Sequence, residues 1–259
     1  MPDRIRLDGK VAVVTGAAGV IGTAAMRLLA ERGARIVAVD RNEAQLKTAI
    51  RDLPASAQAL AITADVTDED EVAGYVRAAV DKFGTIDAFY NNAGIEGDIA
   101  PITRYSLETF RRVIDVNVVG VFLGLKHVLP VMLRQNKGSI INTASIAGLI
   151  GSPDIAVYSA SKHAVIGLTR SAALECSATG VRVNCVCPGL IDSRMLSAII
   201  EGRNPGNAPV PNDRIVERIP ARRLGHASEV ASVVAFLASD EASYVSGSAY
   251  TVDGGRVAS

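Results

Sequence analysis

Short runs of apolar, often β-branched residues alternate along the chain with longer segments in which apolar positions recur every three to four residues. The runs read "KVAVVT", "ARIVAVD", "ALAITAD", "IDAFYNN", "GSIINTAS", "VRVNCVCPG" and "AYTVDGG". Between them lie Val20–Arg32, Asn42–Leu53, Glu69–Phe83, Leu107–Gln135, Val157–Thr179 and Ser228–Ala238, all with a helical period. Strands that are apolar almost throughout are buried on both faces, and a helix after each strand supplies the crossover that parallel pairing needs. The pattern therefore predicts an α/β fold: a doubly wound parallel sheet of about seven strands with helices on both faces. One stretch breaks the rhythm, "EGRNPGNAPVPND" from Glu201 to Asp213, rich in Pro, Gly and Asn. Ligands of such sheets bind beyond the carboxyl ends of the strands, so a substrate loop is expected at about 190–215.

Composition narrows the possibilities. With 259 residues, 49% of them hydrophobic, the chain can bury a substantial core, and no linker is long or polar enough to divide it, so 1–259 is expected as one domain. Lys plus Arg and Asp plus Glu each total 27, and no basic cluster forms the footprint of a nucleic-acid partner. The first ten residues, "MPDRIRLDGK", lack the apolar core of a signal peptide. The most apolar window, Val113–Leu133, contains Asp115, Asn117, Lys126, His127 and Pro130, so no membrane partner is expected. Three cysteines, Cys176, Cys185 and Cys187, cannot all pair, which makes a reducing cytoplasm the expected home. Cys185 and Cys187 alternate onto one strand face and read as small core residues. The histidines are scattered without a ligand pattern, and no metal site is expected.

Candidate chemistry begins with "TGAAGVIG", Thr15–Gly22, a glycine-rich turn that opens a helix directly after the first strand. Glycines permit φ > 0 and close approach of a pyrophosphate, and the helix start offers unpaired N–H groups and the positive end of its dipole. The spacing Gly16, Gly19, Gly22 departs from G-x-G-x-x-G, and an ordinary tight turn has the same look. Asp40, which ends the second strand 18 residues after Gly22, tips the reading toward a dinucleotide, because an acidic side chain there can bind the adenosine ribose hydroxyls. It would also repel a 2′-phosphate, favouring NAD over NADP, while Arg41 can act the other way by neutralising one. In "VYSASKHAVIG", Tyr158 and Lys162 stand four residues apart on one helix face, where an ammonium can lower the phenol's pKa and make it an acid/base; plain surface helices carry the same spacing.

Taken together these motifs resemble the short-chain dehydrogenase/reductase family over essentially the full length. "TGAAGVIG" is similar to the T-G-x-x-x-G-x-G coenzyme loop, Asp65–Val66 to the adenine contact, "NNAG" at Asn91–Gly94 to the fourth-strand motif, "YSASK" to Y-x-x-x-K, and Pro188–Gly189 to the nicotinamide-side turn. Ser145 and Asn117 precede the Tyr/Lys pair in the family's order. The resemblance implies a Rossmann-type coenzyme site at Gly16, Gly19, Ile21, Gly22, Asp40, Arg41, Asp65, Val66, Asn92, Ala93, Gly94, Tyr158, Lys162, Pro188, Gly189, Ile191 and Ser193. It implies Tyr158 as acid/base, Lys162 lowering its pKa and binding the nicotinamide ribose, Ser145 steadying the substrate oxygen, and Asn117 holding a water in a proton relay. Structural alternatives stand beside the last two: Ser145 satisfying backbone groups at a strand end, and Asn117 bridging a helix kink. Two positions depart from the pattern: Val20 replaces the second glycine, and Ser193 the threonine that contacts the carboxamide.

The expected activity is NAD-dependent interconversion of a secondary alcohol and its ketone; the alternative is a non-catalytic NAD-binding sensor of the same fold. The substrate pocket is expected from Glu96, Ser145, Ile146, Ala147, Ile155 and Met195. Most of it is apolar, which points to a compact, largely apolar alcohol, with Glu96 able to hold a second polar group. The resemblance of "NNAGIEG" and "GVFLGLKHVLPVML" to relatives that act on cyclic alcohols or ketones implies a cyclic or aromatic one. Arg194 and Arg203 are the residues that would instead close over an anion. The resemblance also implies a homo-oligomer, a tetramer or dimer packed through Leu107–Gln135 and Val157–Thr179.

Overall fold

Strand β1, Val11–Thr15, shows how the alternation becomes two cores: Val11 and Val13 join one buried cluster, Ala12 and Val14 the other, all essentially without exposure. The computed structural model describes residues 5–204, 206 and 212–258. Along it follow α1 (Val20–Glu31), β2 (Arg35–Asp40), α2 (Glu43–Arg51), β3 (Ala59–Thr63), α3 (Glu69–Phe83), β4 (Ala88–Asn91), α4 (Leu107–Ile114), α5 (Gly120–Gln135), β5 (Gly138–Thr143), α6 (Ala156–Glu175), β6 (Val181–Pro188), α7 (Arg194–Arg203), α8 (Asn212–Val216), α9 (Ala227–Ala238) and β7 (Ala249–Val252). The strands form one parallel sheet in the order β3-β2-β1-β4-β5-β6-β7. Met26, Leu29, Leu46, Val230 and Val234 bring α1, α2 and α9 onto one face. Tyr75, Val121, Met132 and Val165 bring α3, α5 and α6 onto the other. The doubly wound expectation is met, and the order reverses between β1 and β4, where such sheets open a crevice.

Three expectations are corrected. β3 is not buried on both faces: Ala59, Ala61 and Thr63 are exposed while Leu60 and Ile62 pack on the core, because β3 is an edge strand whose outer face no helix covers. The segment Leu107–Gln135 is not one regular helix, since a π turn at Asp115–Val119 separates α4 from α5. Its apolar run passes for a membrane span by length and composition, yet Val121, Leu123, Leu125, Val128 and Met132 are core residues. Finally, the 190–215 region is not simply a loop. Ser193 caps α7 by accepting from the Leu196 N–H, and Met195, Leu196 and Ile199 give that helix an apolar side. Of the Pro/Gly/Asn stretch, residues 205 and 207–211 lie outside the described residues.

Candidate active site

A cleft of about 1000 Å³ runs across the carboxyl ends of the strands, with the glycine turn at one end and α7 at the other. Two glycines fix the turn. Gly16 has φ +62°, and a Cβ there would lie 2.9 Å from the Ala93 Cα; a Cβ on Gly22 would lie 2.0 Å from the Gly16 carbonyl oxygen. No side chain fits either place without moving backbone. α1 begins at Val20 with no side-chain cap and no acidic residue in its first turn, so no side chain of that turn opposes the positive end of its dipole. Val20, at the departure from the family pattern, is helical and half exposed on the cleft wall, so the missing second glycine introduces no clash. The wall is tied from behind by polar side chains. Thr15 Oγ1 accepts from the Asn92 and Ala93 N–H groups (2.9 and 3.2 Å), Asn92 Nδ2 donates to Thr15 O, and Thr143 Oγ1 donates to Asn92 Oδ1.

Asp40 lies at the far end of this wall, its carboxylate accepting from the Ala18 N–H (3.0 Å) and the Asn42 N–H (2.9 Å), so it is fixed against the glycine turn. Ile21, Arg41, Asp65, Val66, Gly94, Pro188, Gly189, Ile191 and Ser193 also line the cleft. Asp65 Oδ1 is engaged by the Thr67 N–H and hydroxyl. Ser193 Oγ donates to Ile191 O besides capping α7, so this hydroxyl has local structural partners. An uncapped helix start, a cradle that admits no Cβ and an anchored carboxylate at the end of β2 on the same cleft together fit a nicotinamide dinucleotide.

Tyr158 and Lys162 sit in the first turns of α6, both buried. They stand side by side, as the spacing suggested, with the ammonium over the ring. Lys162 Nζ donates to the Thr143 carbonyl (2.8 Å) and lies 5.6 Å from the Tyr158 ring centroid. Burial pushes the phenol up to about 12, with the Ser145 hydroxyl pulling the other way. Burial also holds the Lys162 ammonium down to about 8. Desolvation is the largest influence on both groups, and the lysine chain reaches along the ring to the Thr143 carbonyl. Ser145 Oγ accepts from the Ala147 N–H (3.1 Å), capping the short turn after β5, and borders the cleft.

Asn117 sits in the π turn with no exposure. Its Oδ1 accepts from the Ile95 N–H (2.8 Å), and its Nδ2 donates to Ile95 O (2.9 Å) and Ser161 Oγ (3.0 Å). The side chain thus clamps the irregular helix to the segment after β4, with its Oδ1 beside Gly94 on the side where the Lys162 ammonium lies. π turns recur at functional sites because the extra residue redirects local groups.

At the substrate end Tyr158, Ala147 and Ile155 form a small apolar cluster with Ile99, Met195 and Ile199. Ile146 and Ile150 extend the wall. Ile99 and Ile199 were missed from sequence; the period Met195, Leu196, Ile199 in "RMLSAIIEGR" was the available signal, masked by the Pro/Gly run behind it. Glu96, expected in the pocket, is near enough to Tyr158 for its charge to raise the phenol. Its carboxylate takes two bonds from Arg194 on the cleft wall (2.6 and 3.2 Å). Arg203, one of the residues marked in the sequence as able to close over an anion, lines the cleft with Arg214 and Arg218.

A family model described as enoyl-(acyl carrier protein) reductase matches residues 16–256. Cyclohexanol dehydrogenase of Acinetobacter sp. (strain SE19) is 41% identical, over 96% of this chain and 95% of that protein. Levodione reductase of Leifsonia aquatica is 39% identical, over 98% and 96%. A solved structure of levodione reductase superposes with a TM-score of 0.95 at 39% identity, covering 98% of this chain and 100% of that one. An actinorhodin polyketide ketoreductase variant solved with NADPH superposes at 0.90 with 36% identity, covering 95% and 97%. With the glycine turn, the NNAG segment and the Tyr/Lys helix all on one cleft, these matches establish that the chain belongs to the short-chain dehydrogenase/reductase family of oxidoreductases.

Proposed function

We propose that the protein interconverts a compact secondary alcohol, cyclic in its preferred form, and its ketone with NAD. The observation that carries this reading is the cleft itself, which has a dinucleotide cradle at one end and the Tyr158–Ser145 pair against an apolar cluster at the other. Gly16, Gly19, Ile21 and Gly22 hold the pyrophosphate, and Asp40 with Arg41 faces the adenosine ribose. Asp65 and Val66 line the adenine side; Asn92, Ala93, Gly94, Lys162, Pro188, Gly189, Ile191 and Ser193 line the nicotinamide side. When bound, the dinucleotide supplies the hydride acceptor. The chain supplies the rest: Ser145 orients the substrate oxygen, and Tyr158 takes its proton during oxidation or returns it during reduction. Lys162 keeps a positive charge beside that transfer, and Asn117 acts as a positioning residue through the Ile95 backbone. The similarity to cyclohexanol dehydrogenase supports a cyclic alcohol.

The choice of NAD rests on the Asp40 carboxylate, since a relative solved with NADPH means that the fold alone does not dictate it. Exposed Phe110, Phe122, Leu133 and Leu174 on α4, α5 and α6 support a homo-oligomer, dimer or tetramer. Three unpaired, buried thiols fit a reducing cytoplasm. A non-catalytic sensor would have no use for a phenol and an ammonium both buried beside the cleft. Mixing the protein with cyclohexanol and either NAD or NADP tests the reading. NADH absorbance should grow; no turnover of any secondary alcohol would return the sensor to the front.

A further inference from the structure

The apolar cluster at Tyr158 ends, moving outward along the cleft, in positive charge. Arg203 is the last residue of α7, and its Nη2 donates to Ser152 Oγ (2.9 Å) and Pro153 O (2.7 Å), so the guanidinium is held across the cleft from α7 to the segment before α6. A guanidinium has five N–H donors. Those on Nε and Nη1 have no hydrogen-bond partner among the described residues. Burial holds Arg203 below its ordinary range, against the pull of the Asp154 carboxylate, and Arg218 stands near enough to add a smaller repulsion. No carboxylate forms an ion pair with Arg203, Arg214 or Arg218 among the described residues. This contrasts with Arg194, at the other end of α7, whose guanidinium pairs with the Glu96 carboxylate. Two neighbouring cations on a partly desolvated wall, one of them pre-oriented and with donors to spare, are an arrangement that an anion completes.

We propose that Arg203 and Arg218, with Arg214 at the rim, form a subsite for a carboxylate carried on the substrate at the end remote from its hydroxyl. The inference rests on the dehydrogenase reading and refines it. The hydroxyl lies at Tyr158, an apolar ring or short chain lies against Ile155, Met195 and Ile199, and the carboxylate lies at the arginines. The preferred substrate is then a hydroxy acid with an apolar middle, and a neutral alcohol is a truncated version of it.

The test reads binding rather than turnover. The full chain with NAD is titrated calorimetrically with cyclohexanecarboxylate and with cyclohexanecarboxamide, neither of which has a hydroxyl to oxidise. The carboxylate should bind about tenfold or more tighter, and the gap should shrink as salt is raised. Arg203→Gln should lower the carboxylate-to-amide ratio about tenfold, and so should Arg218→Gln, a change at a side chain with no hydrogen bond among the described residues. Equal binding of the two compounds, or a ratio that neither substitution moves, overturns the proposal. Selective carboxylate binding without turnover of any hydroxy acid or alcohol upholds the subsite and overturns the dehydrogenase reading instead.

Discussion

At the coenzyme end of the cleft the wall is mostly backbone, held by short polar ties between neighbouring strands; at the substrate end it is side chains that arrive from the segment after β4, from the start of α6 and from α7. The first end tolerates no added atom at Gly16 or Gly22 and fixes its carboxylate with two backbone N–H groups. The second is closed by long, partly exposed residues, with Arg194 and Arg203 each making contacts across the gap. Rigid backbone suits a coenzyme whose shape never varies. Side chains at the other end can be exchanged without touching the sheet, which is how one fold comes to serve many substrates.

The largest effect that would test this division is on the proton transfer where the two ends meet. Tyr158→Phe should keep NADH binding, followed by fluorescence, and lower kcat by about 10²- to 10⁴-fold. Near-normal kcat would remove the phenol from the mechanism. The unmodified enzyme carries a pH signature of the same group. With the phenol pushed up to about 12, only about one molecule in 10⁵ is deprotonated at pH 7, and that fraction grows about tenfold per pH unit. Alcohol oxidation should therefore climb from neutral into alkaline pH. A profile already flat at neutrality would show that bound coenzyme offsets the effect of burial on the phenol.

Next in size is Gly22→Ala, which forces a methyl against the Gly16 carbonyl. Overpacking of this kind costs about 1–3 kcal/mol, and chemical denaturation should show it together with weakened NADH binding. Unchanged affinity would mean that the turn is more yielding than the backbone contacts indicate. Asp40→Ala should narrow the ratio of kcat/KM for NAD over NADP by about tenfold, equivalent to about 1.4 kcal/mol. Equal use of both coenzymes by the unmodified protein would instead make Arg41 the deciding residue. The smallest effect belongs to Glu96→Gln. Because Arg194 is largely exposed, the pair contributes less than about 1 kcal/mol to stability. Loosening the start of α7 should raise KM more than it lowers kcat, and a change confined to kcat would show Glu96 acting on the chemistry itself.

Legibility from sequence follows the same division. The glycine turn, Asp40, the NNAG segment and the Tyr/Lys helix are each contiguous or sit at a strand end, so local spacing places them, and all of them line one cleft. What spacing leaves out is direction. Tyr158 and Lys162 share a helix face, yet a four-carbon side chain with a carbonyl in reach settles on Thr143. The Glu96–Arg194 bond spans 98 residues, and no local pattern announces it. α7 was hidden by the Pro- and Gly-rich residues that follow it, whose turn signals outweighed a helical period only ten residues long. β3 was read as buried because apolar composition alone does not distinguish a central strand from an edge.

The π turn at Asp115–Val119 carries one residue more than a regular helix of the same rise, and an added residue rotates everything beyond it by about 100°. α4 and α5 are therefore out of phase: a single helical wheel drawn from Leu107 to Gln135 assigns the wrong face to one of them. Deleting one residue inside the turn would restore an unbroken α-helix and swing Asn117 off the Ile95 backbone at the same stroke. Any alignment or redesign of this segment must treat that residue as an insertion with a fixed address, not as slack in a long helix.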